Sequence, residues 1–141
     1  MIRVGLGYDL HRLEEGLPLI LGGVLIPHTK GCVAHSDGDA LAHAITDALL
    51  GAAALGNIGQ HFPDSDPAYR GANSIDLLRK SQKMLEEAGY SIVNIDSTIV
   101  VQQPKLNPHI DAIRASLAEA LNLDIRRISV KAKTNETVGP E

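Results

Sequence analysis

Two short stretches carry residues able to hold a metal ion. Asp9, Leu10 and His11 close a run of small and apolar residues, Ile2, Val4, Gly5, Leu6 and Gly7, which reads as a first strand. Side chains alternate faces in an extended segment, so Asp9 and His11 point the same way and Leu10 is expected to turn back into the core. His43 follows the loop Ala34-His35-Ser36-Asp37-Gly38-Asp39 and falls in the first turns of a helix. One carboxylate oxygen and two imidazole nitrogens make three ligands, the count a catalytic zinc uses when its fourth tetrahedral position is kept for a substrate atom.

Asp-x-His alone occurs by chance, and a single helical His is more often a core or surface residue than a ligand. The setting strengthens both. Asp9 and His11 lie at the carboxyl end of the expected strand, where ligand-binding residues collect in α/β sheets. Asp39 and Asp47 stand four residues to either side of His43, on its own helical face. Either is a candidate to orient the imidazole through its other ring nitrogen; a solvated helix face is the plain alternative for both.

Composition narrows the function classes. A chain of 141 residues suits one domain, long enough to bury roughly 70% of the surface its unfolded form exposes. The net charge is −4 and the 13 Lys and Arg are scattered, with no basic stripe, which argues against nucleic acid. Aromatic residues make up 3% with no Trp, so stacking platforms for bases are improbable and the core must rest on Leu, Ile, Val and Ala. No apolar run approaches the roughly 18 residues of a membrane span, and the N-terminus begins directly with strand-like residues, so a cytoplasmic protein is expected. The single Cys32 has no partner for a disulfide or a thiolate cluster and reads as a small buried or loop residue.

The elements that must position these residues follow from the pattern. Leu17 to Leu21 and Val24 to Pro27 flank Gly22-Gly23, a pair suited to a tight hairpin turn. A first helix, rich in Ala, is expected from an Asp37 or Asp39 cap through Leu55, stopped by Gly56. The connection from Asn57 to Asn73 exceeds ordinary loop length and reads as functional or disordered. A second helix starts at Ser74 and ends before Gly89, with Leu77, Leu78, Ser81, Met84, Leu85 and Ala88 as its inner stripe. Residues 92 to 101 are β-branched and read as a strand; Asn107-Pro108 opens a third helix with Ile110, Ile113, Leu117 and Leu121 inward. A last strand covers Ile128 to Lys133, so the final strand, helix and strand form a right-handed crossover with a parallel pair.

Read together, Asp9-x-His11, the His35 to Asp39 loop, His43, Asn57-Ile58-Gly59, Phe62-Pro63-Asp64-Ser65-Asp66, Gln103-Pro104-Lys105 and Lys133-Thr134-Asn135-Glu136 resemble the 2-C-methyl-D-erythritol 2,4-cyclodiphosphate synthase family over the whole length. The resemblance implies an α/β enzyme of non-mevalonate isoprenoid synthesis. Its fold would be a single-domain sandwich over residues 1–141, with a mainly parallel or mixed sheet of about four to five strands and helices on one face, assembling as a homotrimer. The reaction would convert 4-diphosphocytidyl-2-C-methyl-D-erythritol 2-phosphate into the cyclic diphosphate and CMP. Because the substrate's own 2-phosphate oxygen attacks the β-phosphorus, the protein supplies positioning and charge neutralisation instead of a nucleophile, and no nucleophilic Ser or Cys paired with a base is evident.

By resemblance, zinc, one per subunit, sits on Asp9, His11 and His43, and a second ion, Mg2+ or Mn2+, has Glu136 as its protein ligand. His35 and Thr134 are the candidate catalytic residues, and with Ser36 they look like the donors that hold the phosphates. A helix-cap neighbour without chemistry is the alternative for His35. Phe62 to Asp66 resembles the segment that closes on the methylerythritol hydroxyls, and Asn57 to Gly59 the one that meets the ribose, where many relatives carry Asp in place of Asn57. Val101, Gln102, Gln103, Pro104, Lys105, Leu106 and Asn107 resemble the cytidine pocket; a solvated lysine is the alternative for Lys105. That pocket and Lys133 to Glu136 would come from the neighbouring subunit. Members of the family continue beyond Gly139-Pro140-Glu141 by about 15 to 20 residues, one more element of ordinary length; this sequence stops within a Gly-Pro turn, so that C-terminal segment is expected to be missing from it.

Two other classes fit parts of the pattern. A zinc hydrolase would need a general base beside a metal-bound water, and only Asp64 and Asp66, in the loop assigned to substrate, are at hand. A non-catalytic binding module would close its metal site with a fourth ligand.

Overall fold

Gly22 and Gly23 turn the chain back on itself with φ of 60° and 80°, the pair of positive values that a two-residue hairpin turn matching strand twist requires. The computed structural model describes residues 1–139. Pro140 and Glu141, in the expected closing turn, lie outside the described residues. The hairpin strands are β2 (Leu19–Leu21) and β3 (Val24–Ile26), paired antiparallel with Leu21 opposite Val24. A second antiparallel pair, β1 (Leu13–Glu15) with β4 (Lys30–Cys32), flanks it. This pair is not legible in the sequence, because Leu-Glu-Glu and Lys-Gly-Cys have no apolar alternation. Half-buried Cys32 ends β4 as a free thiol.

The first helix, α1 (Ala40–Ala52), is capped by Asp39, which accepts from the Ala42 N–H at 3.0 Å. The same wholly buried carboxylate accepts from the Gly22 and Gly23 N–H groups at 2.9 and 2.7 Å, so one side chain ties the hairpin to the helix that carries His43. Burial raises its pKa, against the opposing pull of the three backbone donors. The helix ends three residues before the expected Leu55, because Ala54 and Gly56 take left-handed φ of 57° and 89°.

The long Asn57 to Asn73 connection holds two short helical turns. α2 (Ile58–His61) is capped by Asn57, and Asp66 caps a 3-10 turn at Pro67–Tyr69. α3 (Ser74–Glu87), capped by Asn73, buries Ile75, Leu77, Leu78, Ser81 and Leu85. β5 (Ile95–Val100) pairs parallel with β6 (Ile128–Lys133) across α4 (Ile110–Leu121), the expected crossover. Its inner face buries Ile95, Ile128 and Val130, while Asp96 and Lys131 pair at 2.7 Å on the outer face.

Two expectations are corrected. In place of one sheet of four or five strands, the described residues form a mixed α/β fold with three two-stranded sheets. The three-residue strands are bounded by Gly16, Pro18, the Gly22-Gly23 turn and Pro27, which interrupt a ladder instead of extending it. Residues 1–12 belong to no ladder among the described residues; they run against α1, so closely that a Cβ added to Gly5 or Gly7 would lie 1.8 Å from the carbonyl oxygens of Ala48 or Ala44. Their face away from the helix carries Ile2, Val4, Leu6 and Leu10, all exposed, so Leu10 points outward and not into the core. The helix lies on the odd-numbered face, the one holding Asp9 and His11.

Candidate active site

Three ligand atoms converge where residues 9 to 11 pass the start of α1. Asp9 Oδ2 lies 2.9 Å from Nδ1 of His11 and 3.2 Å from Nδ1 of His43. The two imidazoles stand 5.3 Å apart between ring centres. Among the described residues, Asp9, His11 and His43 are the group of His, Cys, Asp and Glu whose ligand atoms all fall within 4.8 Å of one another. Helix geometry brings this about. His43 projects from the first turns of α1, and the glycines of the N-terminal segment let its backbone approach that helix.

The electrostatics match a cation site. Burial raises the Asp9 pKa, but the two imidazoles beside it outweigh that and hold its carboxyl well below the usual range. The Asp9 contact raises the His11 pKa, with Asp64 and Asp39 adding negative potential. His11 Nδ1 is buried, and its short contact with Asp9 lacks the alignment of a hydrogen bond, so it has no hydrogen-bond partner. An orphaned imidazole nitrogen facing a carboxylate oxygen and a second imidazole nitrogen is a donor set that fits a tetrahedral metal.

The orienting partner of His43 is neither of the carboxylates expected from sequence. Asp39 is engaged with the hairpin and its cap, and Asp47 accepts from the Ile58 N–H at 2.7 Å. Instead Nε2 of His43 lies 2.7 Å from Oγ of Ser74 and 3.1 Å from Oγ of Ser36. Ser74 in turn is held by Asp37, which accepts from its N–H at 3.0 Å and from its hydroxyl. A serine therefore stands beside this histidine. It is no nucleophile, being fully buried with its hydroxyl hydrogen directed at Asp37. The sequence offers Asp37 as a candidate cap of the first helix and Ser74 as a helix start, and their meeting 37 positions apart has no local signal.

The other candidates fall into two further groups. His35 reaches the Asp66 carbonyl through Nε2 at 3.3 Å, and its own carbonyl accepts from Gly71 N–H at 2.7 Å, which ties the 57 to 73 connection to the loop before α1. In that connection Asp64 and Ser65 are exposed. Phe62 is buried edge-on against Tyr69, centres 5.5 Å apart, so its ring anchors the loop. Asn57 is a cap whose side-chain oxygen accepts from Gln60 N–H at 3.0 Å, with Gly59 open beside it.

The 101 to 107 and 133 to 136 segments meet each other. Val101 N–H donates to Lys133 carbonyl at 3.0 Å, and Thr137 N–H donates to Gln102 Oε1 at 3.3 Å. Thr134 donates its hydroxyl to Glu136 at 3.3 Å in a turn where Glu136 and Thr137 take φ of 52° and 62°. Gln103-Pro104 is a cis peptide. Lys105 is exposed, Leu106 is buried, and Asn107 and Lys133 help line a cavity of about 720 Å³ with Thr98, Ile110 and Lys131. The bonds just described tie this group to itself, while those around the triad run among residues 9 to 74.

Comparison with known proteins identifies the setting. A curated relative from Chromobacterium violaceum, named 2-C-methyl-D-erythritol 2,4-cyclodiphosphate synthase, is 60% identical over 139 residues, covering 99% of this chain and 88% of its own. A solved synthase of that name in a CDP-bound form superposes with a TM-score of 0.93 at 46% identity, over 99% of this chain and 93% of that one. A Plasmodium falciparum IspF complex with CDP superposes at 0.83 with 36% identity, covering 97% and 84%. The YgbB family matches residues 2–141, and the chain belongs to that family.

Proposed function

We infer that this chain cyclises 4-diphosphocytidyl-2-C-methyl-D-erythritol 2-phosphate to 2-C-methyl-D-erythritol 2,4-cyclodiphosphate with release of CMP, as a single catalytic domain. The observation that carries this is the convergence of Asp9, His11 and His43 in a chain whose relatives bear that enzyme's name. In the reaction a 2-phosphate oxygen bonds to the β-phosphorus while the bond from that phosphorus to the bridging oxygen breaks, and its electron pair leaves with CMP. The substrate supplies its own nucleophile, so the protein's work is to place and neutralise charged groups.

Asp9, His11 and His43 would hold a zinc ion, and Glu136 a Mg2+ or Mn2+ ion shared with the substrate diphosphate. Such ions, when bound, polarise phosphoryl oxygens and offset the charge of the leaving group. His35, Ser36 and Thr134 donate to phosphate oxygens, with His35 and Thr134 nearest the reacting centre. Pro63 to Asp66 contacts the methylerythritol hydroxyls, while Phe62 contributes through its backbone because its ring is buried. Asn57, Ile58 and Gly59 meet the ribose. Val101 to Asn107, with Lys105 as the charged member, and Lys133 to Glu136 enclose cytidine and its phosphates.

A homotrimer with shared sites accounts for the separation of these groups. The exposed apolar face of Ile2, Val4, Leu6 and Tyr8 supports it, since such a face is ordinarily covered. No helix among the described residues is long and apolar enough to cross a membrane. The deciding experiment follows the substrate with Zn2+ and Mg2+ by phosphorus NMR and mass spectrometry. Cyclic diphosphate and CMP in equal amounts are expected; linear phosphate release overturns the reading in favour of hydrolysis.

A further inference from the structure

We propose that Asp37 and Ser74 are positioning residues for His43, forming a relay that fixes which of its ring nitrogens faces the metal; this rests on the metal reading of the triad. Asp37 grips Ser74 twice, accepting from its backbone N–H at 3.0 Å through Oδ2 and from its hydroxyl through Oδ1. A serine hydroxyl has one hydrogen, and here it is spent on the carboxylate. Ser74 Oγ therefore offers only lone pairs to the His43 Nε2 that lies 2.7 Å away. That contact is a hydrogen bond only if Nε2 carries the proton. A neutral imidazole protonated at Nε2 has its lone pair on Nδ1, the nitrogen that faces Asp9 Oδ2 at 3.2 Å and completes the triad.

Burial makes the relay directional. The Ser74 side chain is fully buried at the start of α3, and Asp37 also accepts from the Asp39 N–H at 3.1 Å, which keeps its carboxylate in place. Ser36 Oγ, 3.1 Å from the same Nε2, accepts from the Gly38 N–H and can add a weaker second contact. Metal-bound histidines are commonly held through their other ring nitrogen by a carboxylate or carbonyl. Here the carboxylate acts at one remove, through a hydroxyl donated by another helix.

The test uses the full chain, the Asp37→Asn and Ser74→Ala variants, nitrogen-15 spectra of the zinc-free proteins at pH 8, and zinc affinity by chelator competition. The unsubstituted protein is expected to show His43 protonated at Nε2. In Asp37→Asn the new amide can donate to Ser74, which frees the serine hydroxyl to donate to Nε2, so the Nδ1-protonated tautomer appears. Zinc should bind about 10- to 100-fold more weakly to either variant, with a changed visible spectrum when Co2+ replaces zinc and with the helical circular dichroism retained. His43 protonated at Nδ1 in the unsubstituted protein overturns the relay, whatever the variants do. So does unchanged zinc affinity in folded Asp37→Asn. Failure of the unsubstituted protein to bind zinc at all counts against the metal reading instead, and the nitrogen spectrum of the same sample still decides the tautomer.

Discussion

Gly7 presses on the carbonyl of Ala44, the residue next to His43, so tightly that a Cβ at Gly7 would fall 1.8 Å from that oxygen. Two residues further on, Asp9 meets His43. The missing side chain is thus what lets the segment bearing Asp9 and His11 reach the helix bearing His43. Gly7→Ala must push the segment outward, at a cost of about 1–3 kcal/mol as for other overpacked sites. The expected outcome is a lower melting temperature together with weakened zinc binding by chelator competition. Unchanged zinc affinity would show that the contact does not set the triad.

His43→Ala should abolish turnover while leaving a folded oligomer, because the Ala-rich helix keeps its packing and loses only a ligand. Metal analysis and a product assay check it together. One zinc retained per subunit with near-normal activity sinks the assignment.

For Glu136→Gln the zinc content should be unchanged, and the demand for the second ion should rise, since an amide lacks the charge that a hard cation prefers. Rates measured over a range of Mg2+ and Mn2+ concentrations show this directly. An identical metal dependence removes Glu136 from the role.

Cys32 should resist alkylation. Burial, aided by the charges of Asp39, Asp9 and Asp37, pushes its thiol up to about 11. Only the thiolate reacts, so at pH 8 its reactive fraction falls roughly 100-fold below that of a thiol with the ordinary value near 9. The shift raises the folded-state value, so protection persists below pH 9 and fades as pH climbs toward 11. Iodoacetamide labelling followed by mass spectrometry across that range measures it, and rapid labelling at pH 8 contradicts the burial argument.

Mixed assembly tests the shared site. His43→Ala and Lys105→Ala proteins, each inactive alone, are unfolded together, refolded and assayed. Recovered activity is expected, because some mixed trimers pair an intact triad with an intact cytidine segment. Two real defects with no recovery in verified mixed oligomers exclude sites built from two subunits.

Local chemistry made much of this protein legible in its sequence. The Gly22-Gly23 turn, the starts of α1 and α3 and the parallel β5 and β6 pair rest on signals a few residues apart: positive-φ glycines, capping oxygens and apolar periodicity. Asp9, His11 and His43 stood out as candidate ligands because of residue type and, for the first two, strand alternation, and the structure brings their ligand atoms together. Tertiary structure decided the rest. The sequence pointed to Asp39 and Asp47 as partners of His43 because they share its helical face, but both carboxylates are claimed by backbone N–H groups. Ser74 reaches His43 across 31 positions and Asp37 across 37, separations at which no period operates. Leu10, apolar and in a strand-like run, faces outward because the helix packs on the glycine face of its segment. Alternation predicts which side chains share a face; which face is buried depends on the surface that docks there, and that surface is assembled from distant parts of the chain.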